Sequence, residues 1–250
     1  MSSSIGTQRR PEAGRSVSVC MATYNGATYL LTQIESILSQ LAEGDELLIA
    51  DDGSTDGTLA ILQQIQEVRV RFLGSQRLGS PLLTFERALR QAKGSYIFLA
   101  DQDDVWVPNK LELVLPLLDR YDLVLTDCEV VNQQGVMIHP SFFAIRGSRP
   151  GFWYNLRRNS YMGCCMAFRR DVLDYALPFP PYIHMHDWWI GLLTEARGRV
   201  FFVPQPLLQY RRHGANASPT GEGGFSFWHQ LVNRVTMGWA VIHRLVTTSF

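Results

Sequence analysis

Short apolar runs and helical spacings alternate along the first half of the chain. Residues 17–22 form a buried-strand run that stops at the turn signal Thr23-Tyr24-Asn25-Gly26. Leu30, Ile34, Ile37, Leu38 and Leu41 then recur at steps of three and four, which predicts a helix over 29–41. A second run, 46–50, ends at Asp51-Asp52-Gly53-Ser54, and the following Thr55-Asp56-Gly57-Thr58 can cap a helix carrying Leu59, Leu62 and Ile65. A third strand is predicted over 68–73, where the alternation of Arg69 and Arg71 suits a place near a sheet edge. Residues 81–93 read as a helix with Pro81 in its first turn and Gly94 just past its end. The fourth run, 96–100, delivers Asp101-Gln102-Asp103-Asp104.

Strands separated by helices of this length build βαβ units, so the expected class is α/β with a mainly parallel sheet. Right-handed crossovers bring the carboxyl ends of such strands to one edge, where open α/β sheets bind ligands. Three separate strands thereby deliver Thr23-Tyr24-Asn25, Asp51-Asp52 and the Asp101–Asp104 cluster to a common edge.

The second half is less regular. A helix is predicted over 108–121, interrupted or kinked at Pro116, and a strand over 123–131 in which Asp127 is either a site residue or a structural hydrogen-bond acceptor. Residues 139–151 read as a loop made basic by Arg146 and Arg149. The apolar stretch 161–168 is either a core strand or a small-residue turn at Gly163-Cys164, and Arg169-Arg170-Asp171 opens a helix. A strand over 198–203 is closed by Pro204 and Pro206. Beyond residue 225, Trp228, Leu231, Val235, Trp239, Ile242 and Val246 fall on one helical stripe. Such a stripe docks on the protein's own core, lies on a membrane surface or forms an oligomer contact.

Composition narrows the chemistry. The 250 residues are 46% hydrophobic and 18% charged, enough for a sizeable core, and the formal net charge of zero removes the bulk attraction expected of a nucleic-acid binder. Cys20, Cys128, Cys164 and Cys165 have no metal-ligand spacing and read as structural thiols of a reducing compartment. Residues 1–14 have no apolar core and are expected to be a loose tail rather than a signal peptide, and no run approaches the roughly 18 apolar residues of a spanning helix. The expectation is a cytoplasmic protein, soluble or peripheral on the inner face of the plasma membrane. Neither a dinucleotide fingerprint nor a P-loop occurs.

Three carboxylates within four residues repel one another. Either they solvate a capping loop or a cation sits among them. A hard divalent ion there would neutralise an anionic diphosphate where no glycine-rich cradle is available. His184 and His186 beside Asp187 read either as a weak zinc site or as an Asp general base next to the aromatics Trp188 and Trp189. Tyr210-Arg211-Arg212-His213-Gly214 is a basic cluster suited to phosphate, or else a solvated loop.

The stretches Val17-Ser-Val-Cys-Met-Ala-Thr-Tyr-Asn-Gly26, Leu48-Ile-Ala-Asp-Asp-Gly-Ser-Thr-Asp-Gly-Thr58 and Phe98-Leu-Ala-Asp-Gln-Asp-Asp104, in this order and spacing, resemble the family 2 glycosyltransferases of GT-A fold. The resemblance implies an inverting transferase that moves a sugar from a nucleotide donor to a hydroxyl of a glycan or lipid-linked glycan. It places Thr23, Tyr24, Asn25, Asp51 and Asp52 with the nucleoside, and adds Arg77, Asp101, Gln102 and Arg212 as donor contacts. It gives a manganese or magnesium ion to Asp103, Asp101 and Asp104, with Asp103 favoured and His213 completing the site. Asp187 matches the family's base at the start of a helix. Gly163, Cys164, His186, Trp188 and Trp189 fall on the acceptor side. The later segments are similar to those of bacterial members that use dTDP-rhamnose.

These expectations divide the chain into a tail (1–14), a nucleotide-sugar half (15–132), an acceptor and catalytic half (133–220) and an amphipathic helical segment (221–250). Two other readings stand beside the transferase. A sugar nucleotidyl- or phosphoryl-transferring enzyme on a similar sheet would want a cation after the first strand, which Thr23-Tyr24-Asn25-Gly26 lacks. A non-catalytic glycan-binding module would have no use for Asp187 together with an intact acidic cluster.

Overall fold

A computed structural model of the chain describes residues 15–214 and 227–248. The tail expected over 1–14 lies outside the described residues. The first half follows the predicted alternation: β1 (Val17–Thr23), α1 (Leu30–Leu38), β2 (Glu46–Asp51), α2 (Thr58–Gln64), β3 (Val70–Ser75), α3 (Pro81–Leu89) and β4 (Tyr96–Asp101). These four strands pair in parallel in the order β3-β2-β1-β4. The chain therefore builds outward from β1 and then crosses to its other side through α3, which packs on β1 and β2. A crevice opens where the direction reverses, outside the strand ends. Register places Thr23 beside Asp51 and Ala22 beside Asp101, so three strand ends share that edge. β3 is the outer strand, as its arginines suggested. Arg71 reaches Glu46 at 2.6 Å, and Arg69 donates to the carbonyls of Leu38 and Leu41 at the end of α1.

The second half continues the same sheet. Its elements are β5 (Val105–Trp106), α4 (Lys110–Leu118), β6 (Leu123–Val131), β7 (Met137–His139), α5 (Phe142–Arg146), α6 (Phe152–Arg157), a single 3₁₀ turn (Gly163–Cys165), β8 (Met166–Arg169), α7 (Val172–Ala176), α8 (His186–Arg197), β9 (Val200–Arg211) and α9 (Phe227–Thr247). β8 lies antiparallel between β4 and β6, and β9 runs parallel to β6. The result is an α/β fold whose mainly parallel sheet is flanked by helices and shares one apolar core.

Four expectations change. The basic loop at 139–151 contains α5, because Ser141 caps it by accepting from Ala144 N and Asp127 accepts from Phe143 N. Asp127 is thereby the structural acceptor. The apolar stretch 161–168 divides into the 3₁₀ turn and β8, so both readings of it hold in part. Pro204 and Pro206 do not close β9, which runs on to Arg211. They sit where its register against β6 shifts, Thr126 pairing with Val203 and Asp127 with Pro206, an irregularity of the kind that tolerates proline in a strand. Finally, the α9 stripe named above does not dock on the core. Met237, Ala240 and Val241 are the buried side instead, and Arg244 ties the helix to the carbonyls of Tyr175 and Leu177.

Candidate active site

A cavity of about 510 Å³ opens at the strand-end edge. Thr23 and Tyr24 after β1, Asp52 after β2, and Asp101, Gln102 and Asp103 after β4 form one wall. Arg77, Thr84 and Phe85 border it near α3, and Arg146, Tyr161, Gly163, His186, Asp187 and Tyr210 close the far side. The volume suits a small-molecule ligand of nucleotide-sugar size.

The donor-side wall is knit by hydrogen bonds between loops. Gln102 accepts from Tyr24 N and donates to Tyr24 O, both at 2.9 Å, and so clamps the β1 loop to the β4 loop. Gly26 makes room for that clamp, since a Cβ there would lie 2.1 Å from Gln102 Oε1. Asn25, at φ 50°, accepts from Thr55 N at 2.8 Å and holds the β1 and β2 loops together. Asp51 is fully buried. It accepts from Gly53 N, Ser54 N, Ser54 Oγ, Ser75 Oγ and Thr23 Oγ1. Burial pushes its carboxyl up, but the hydroxyl bonds from Ser54 and Ser75 outweigh this and hold it below the usual range. Asp51 and Asn25 thus shape the turn and stay out of the cavity lining. Asp52 faces the cavity, fixed by Leu78 N and by Gly79 N at 2.8 Å. Arg77 donates to Asp52 O and lies over the Tyr24 ring at 4.4 Å, so a cation and an aromatic plane border the same wall.

The acidic cluster separates by environment. Asp103 lines the cavity, and its Oδ2 is 2.7 Å from His213 Nε2. That is a hydrogen-bond distance. It is also close to the roughly 3 Å between adjacent ligands of an octahedral ion with bonds of about 2.1 Å. The His213 ring stacks on Tyr29 at 5.3 Å, which orients it. Asp101 lines the cavity too, and burial, with the charges of Asp103 and Asp187, pushes it up to about 7. Asp104 is wholly buried, accepting from Arg211 N at 3.0 Å, while its Oδ2 has no hydrogen-bond partner among the described residues. Burial and the neighbouring Asp103 drive its carboxyl far up. Ligand atoms of Asp101, Asp104 and Cys164 lie within 4.8 Å of one another. A thiol and a buried carboxyl suit a hard ion less well than Asp103, which lines the cavity, with His213 held against it just behind the lining.

Across the cavity stands Asp187, in the first turn of α8. Its Oδ1 accepts from Trp188 N at 2.7 Å. Burial raises its carboxyl to about 6, with the backbone bonds from Trp188 and Gly163 pulling the other way. A carboxylate with this value is ionised at neutral pH and still basic enough to take a proton. His186 beside it lines the cavity, and burial lowers its imidazole to about 4, so the ring is neutral. His186 Nε2 is buried without a partner among the described residues. Gly163 lets that ring approach: a Cβ there would be 3.0 Å from Nε2. His184 is exposed, and no ligand cluster of His184, His186 and Asp187 forms among the described residues.

A family model described as "Glycosyl transferase family 2" matches residues 18–176. The chain belongs to glycosyl transferase family 2. Two similar relatives are Escherichia coli UDP-Glc:alpha-D-GlcNAc-diphosphoundecaprenol beta-1,3-glucosyltransferases. WfaP is 36% identical over 72% of this chain and 70% of its own length, and WfgD is 28% identical over the same shares. The dTDP-rhamnosyl transferase RfbG of Shigella flexneri is 25% identical over 79% of this chain and 75% of its own length. Among solved structures, S. aureus TarS 1-349 in complex with UDP superposes with a TM-score of 0.66, at 18% identity, over 94% of this chain and 67% of that one. The fold of this glycosyltransferase is therefore of the GT-A type.

Within the glycosyltransferase, Thr23, Tyr24, Arg77, Asp52, Asp101, Gln102, Asp103, Gly163, His186 and Asp187 gather around one cavity. Trp188 and Trp189 do not: both are buried, and their indole N–H groups donate to Asn155 O and Ala176 O at 2.9 Å. Sugar stacking on them is replaced by core packing. Cys164 is buried beneath the wall, where its carbonyl accepts from Lys110 Nζ. Arg212 is not part of the lining; its neighbour Arg211 braces the acidic loop by donating to Asp103 O at 3.0 Å. Sequence reasoning missed Tyr161, Thr84 and Phe85 as lining residues, since each reads as ordinary core, whereas Tyr210 opened the basic cluster read as suited to phosphate. Arg146 carried a faint signal as part of a basic loop.

Proposed function

We propose that this glycosyltransferase moves a sugar, with inversion, from a uridine or thymidine diphosphate donor to a hydroxyl of a lipid-linked glycan, in the assembly of a surface polysaccharide. The observation that carries the reading is Asp187: a buried carboxylate at the start of α8, raised to about 6, facing Asp101 and Asp103 across one cavity. Inverting transfer needs a base on the acceptor side to take the hydroxyl proton as that oxygen attacks the anomeric carbon. Asp187 has the position and the basicity, and the neutral His186 beside it can hydrogen-bond an acceptor sugar. On the opposite wall Asp52, Tyr24 and Arg77 orient the nucleoside end of the donor.

Asp103 and His213, with Asp101, would hold a divalent cation, manganese or magnesium. Such an ion, when bound, offsets the negative charge that grows on the departing diphosphate. The donor pyrimidine and the lipid-linked acceptor are supported by the names of WfaP, WfgD and RfbG. The first two favour glucose and the third rhamnose, with dTDP-rhamnose suggested by the Tyr210-to-Gly214 segment. Among the described residues no helix is long and apolar enough to cross a membrane. The reaction is assigned to the cytoplasmic side.

Substituting Asp187→Asn tests the assignment. Donor affinity, read by calorimetric titration of UDP and dTDP with manganese, should stay within a few fold of wild type while transfer falls by a factor of about 10² or more. Asp103→Ala should weaken metal-dependent donor binding instead. Retained turnover in the Asp187→Asn variant would remove that residue from the role.

A further inference from the structure

The outer face of α9 is apolar along most of its length and stays largely exposed, although Tyr182 packs against the Trp239 ring at 5.6 Å. Trp228, Val232, Val235, Trp239, Ile242 and Val246 succeed one another at steps of four and three, and each is at least 56% exposed. At these spacings they form one stripe along a helix of 21 residues, about 30 Å long. α6 widens the stripe, because its Trp153 is 78% exposed and α6 and α9 meet in a shallow groove lined by Trp153, Arg157, Arg234, Val235 and Trp239. Exposed tryptophans at the margin of an apolar strip are poorly placed in water and well placed at a lipid headgroup boundary.

Charge completes the pattern. Residues 142–158 carry Arg146, Arg149, Arg157 and Arg158 and no carboxylate, and residues 227–248 carry Arg234 and Arg244 and no carboxylate, in a chain with zero net charge. Glu195 of α8, which packs against both helices, is turned inward and accepts from Gly151 N at 2.6 Å and Asn155 Nδ2 at 3.2 Å. Arg244 is turned to the core and Arg146 to the catalytic cavity, but Arg157 and Arg234 line the groove and Arg158 is exposed next to it, so the face is cationic and apolar together. A second copy of this chain would set arginine against arginine, and among the described residues α6 and α9 themselves carry no acidic side chain to form interhelical pairs.

We propose that the α6–α9 face is a docking surface for an anionic lipid bilayer, with α9 lying in the interface plane and Trp153 and Trp228 as its aromatic anchors. The inference rests on the reading of a lipid-carried acceptor, since only an acceptor held in a membrane requires the enzyme to sit there. α6 follows directly on the segment that carries Arg146, a residue of the catalytic cavity wall. Docking through α6 therefore brings that side of the cavity toward the headgroups.

The test is flotation of the full chain with vesicles of phosphatidylglycerol mixed into phosphatidylcholine, and with vesicles of phosphatidylcholine alone. Wild type should float with the anionic vesicles and release as salt rises. Replacing both Arg157→Gln and Arg158→Gln should weaken that binding by about 25-fold, at roughly fivefold per arginine near an anionic surface. Trp153→Ser with Trp228→Ser should abolish flotation while leaving the thermal midpoint unchanged, both side chains being exposed. No flotation of wild type, or equal flotation of all three proteins, would overturn the proposal. A concentration-dependent dimer that the Trp pair abolishes, with no vesicle binding, would make the face a self-association surface and overturn it as well. Donor hydrolysis in solution reports separately on the catalytic reading: unaltered in these variants, it shows that a failed flotation result concerns docking alone.

Discussion

Asp187→Asn makes a prediction that distinguishes a functional carboxylate from a structural one. Burial raises this group to about 6 from an ordinary 3.8. Because folding raises the value, the folded chain holds the proton more tightly than the unfolded chain does. The favourable contribution is complete below the unfolded value and is lost as pH rises through about 6, so at neutral pH the ionised carboxylate works against folding. Two units correspond to about 3 kcal/mol. The side chain is 9% exposed, so little solvent screening reduces this, but Asn must find an acceptor for its new amide. A net gain of about 1–2 kcal/mol remains, or roughly 3–6 °C in melting temperature for a domain of this size. The variant should therefore melt higher than wild type at pH 7.5 and equal to it near pH 4, by scanning calorimetry, while transfer falls by a factor of about 10² to 10⁴. In wild type, kcat/KM should drop about tenfold per pH unit below 6. A flat profile between pH 5 and 7, or a variant that is both less stable and active, would refute the reasoning.

Three further outcomes follow from the geometry. His213→Ala should raise the manganese concentration needed for half-maximal donor binding at least tenfold, with little change in metal-free nucleotide affinity; titration with and without manganese reads both. Gly26→Ala places a methyl group against Gln102 Oε1 and should cost about 1–3 kcal/mol, most of it recovered when Gln102→Ala is added, a coupling that urea denaturation of the four proteins of the cycle measures. Trp188→Phe loses the bond to Asn155 O and should lower stability by about 1–2 kcal/mol while leaving the acceptor KM unchanged; a large KM increase would restore the indole to the acceptor site.

The donor half was legible because its signals are local. Each strand from β1 to β4 is an apolar run ended by polar residues, and parallel pairing then forces Thr23, Asp52 and Asp101 onto one edge whatever the loops do. Asp187 was legible as an acid beginning a helix, although its approach to Asp101 depends on how β8, α7 and α8 pack. What escaped depends on partners far apart in sequence. Nothing near Asp104 reveals that Arg211, more than a hundred residues on, will take one of its oxygens and leave it behind the wall. Trp188 and Trp189 look alike beside any ligand or any core, and only the carbonyls of Asn155 and Ala176 decide between the two. The prolines of β9 misled because a strand's tolerance for them depends on a register shift in its neighbour β6. The stripe on α9 was read with the right period, but Met237, Ala240 and Val241 are equally periodic and fit closer to the core.

The division of labour across the cavity is tested most directly by the stereochemistry of transfer. The enzyme would be incubated with UDP-glucose or dTDP-rhamnose, manganese and a diphospholipid-linked N-acetylglucosamine, and the anomeric configuration of the product read by NMR. One base opposite one bound diphosphate predicts a product whose anomeric configuration is inverted from the donor's and which forms about 10² to 10⁴ times more slowly with Asp187→Asn. A product of retained configuration, or inversion that proceeds at close to the wild-type rate in that variant, would contradict the account.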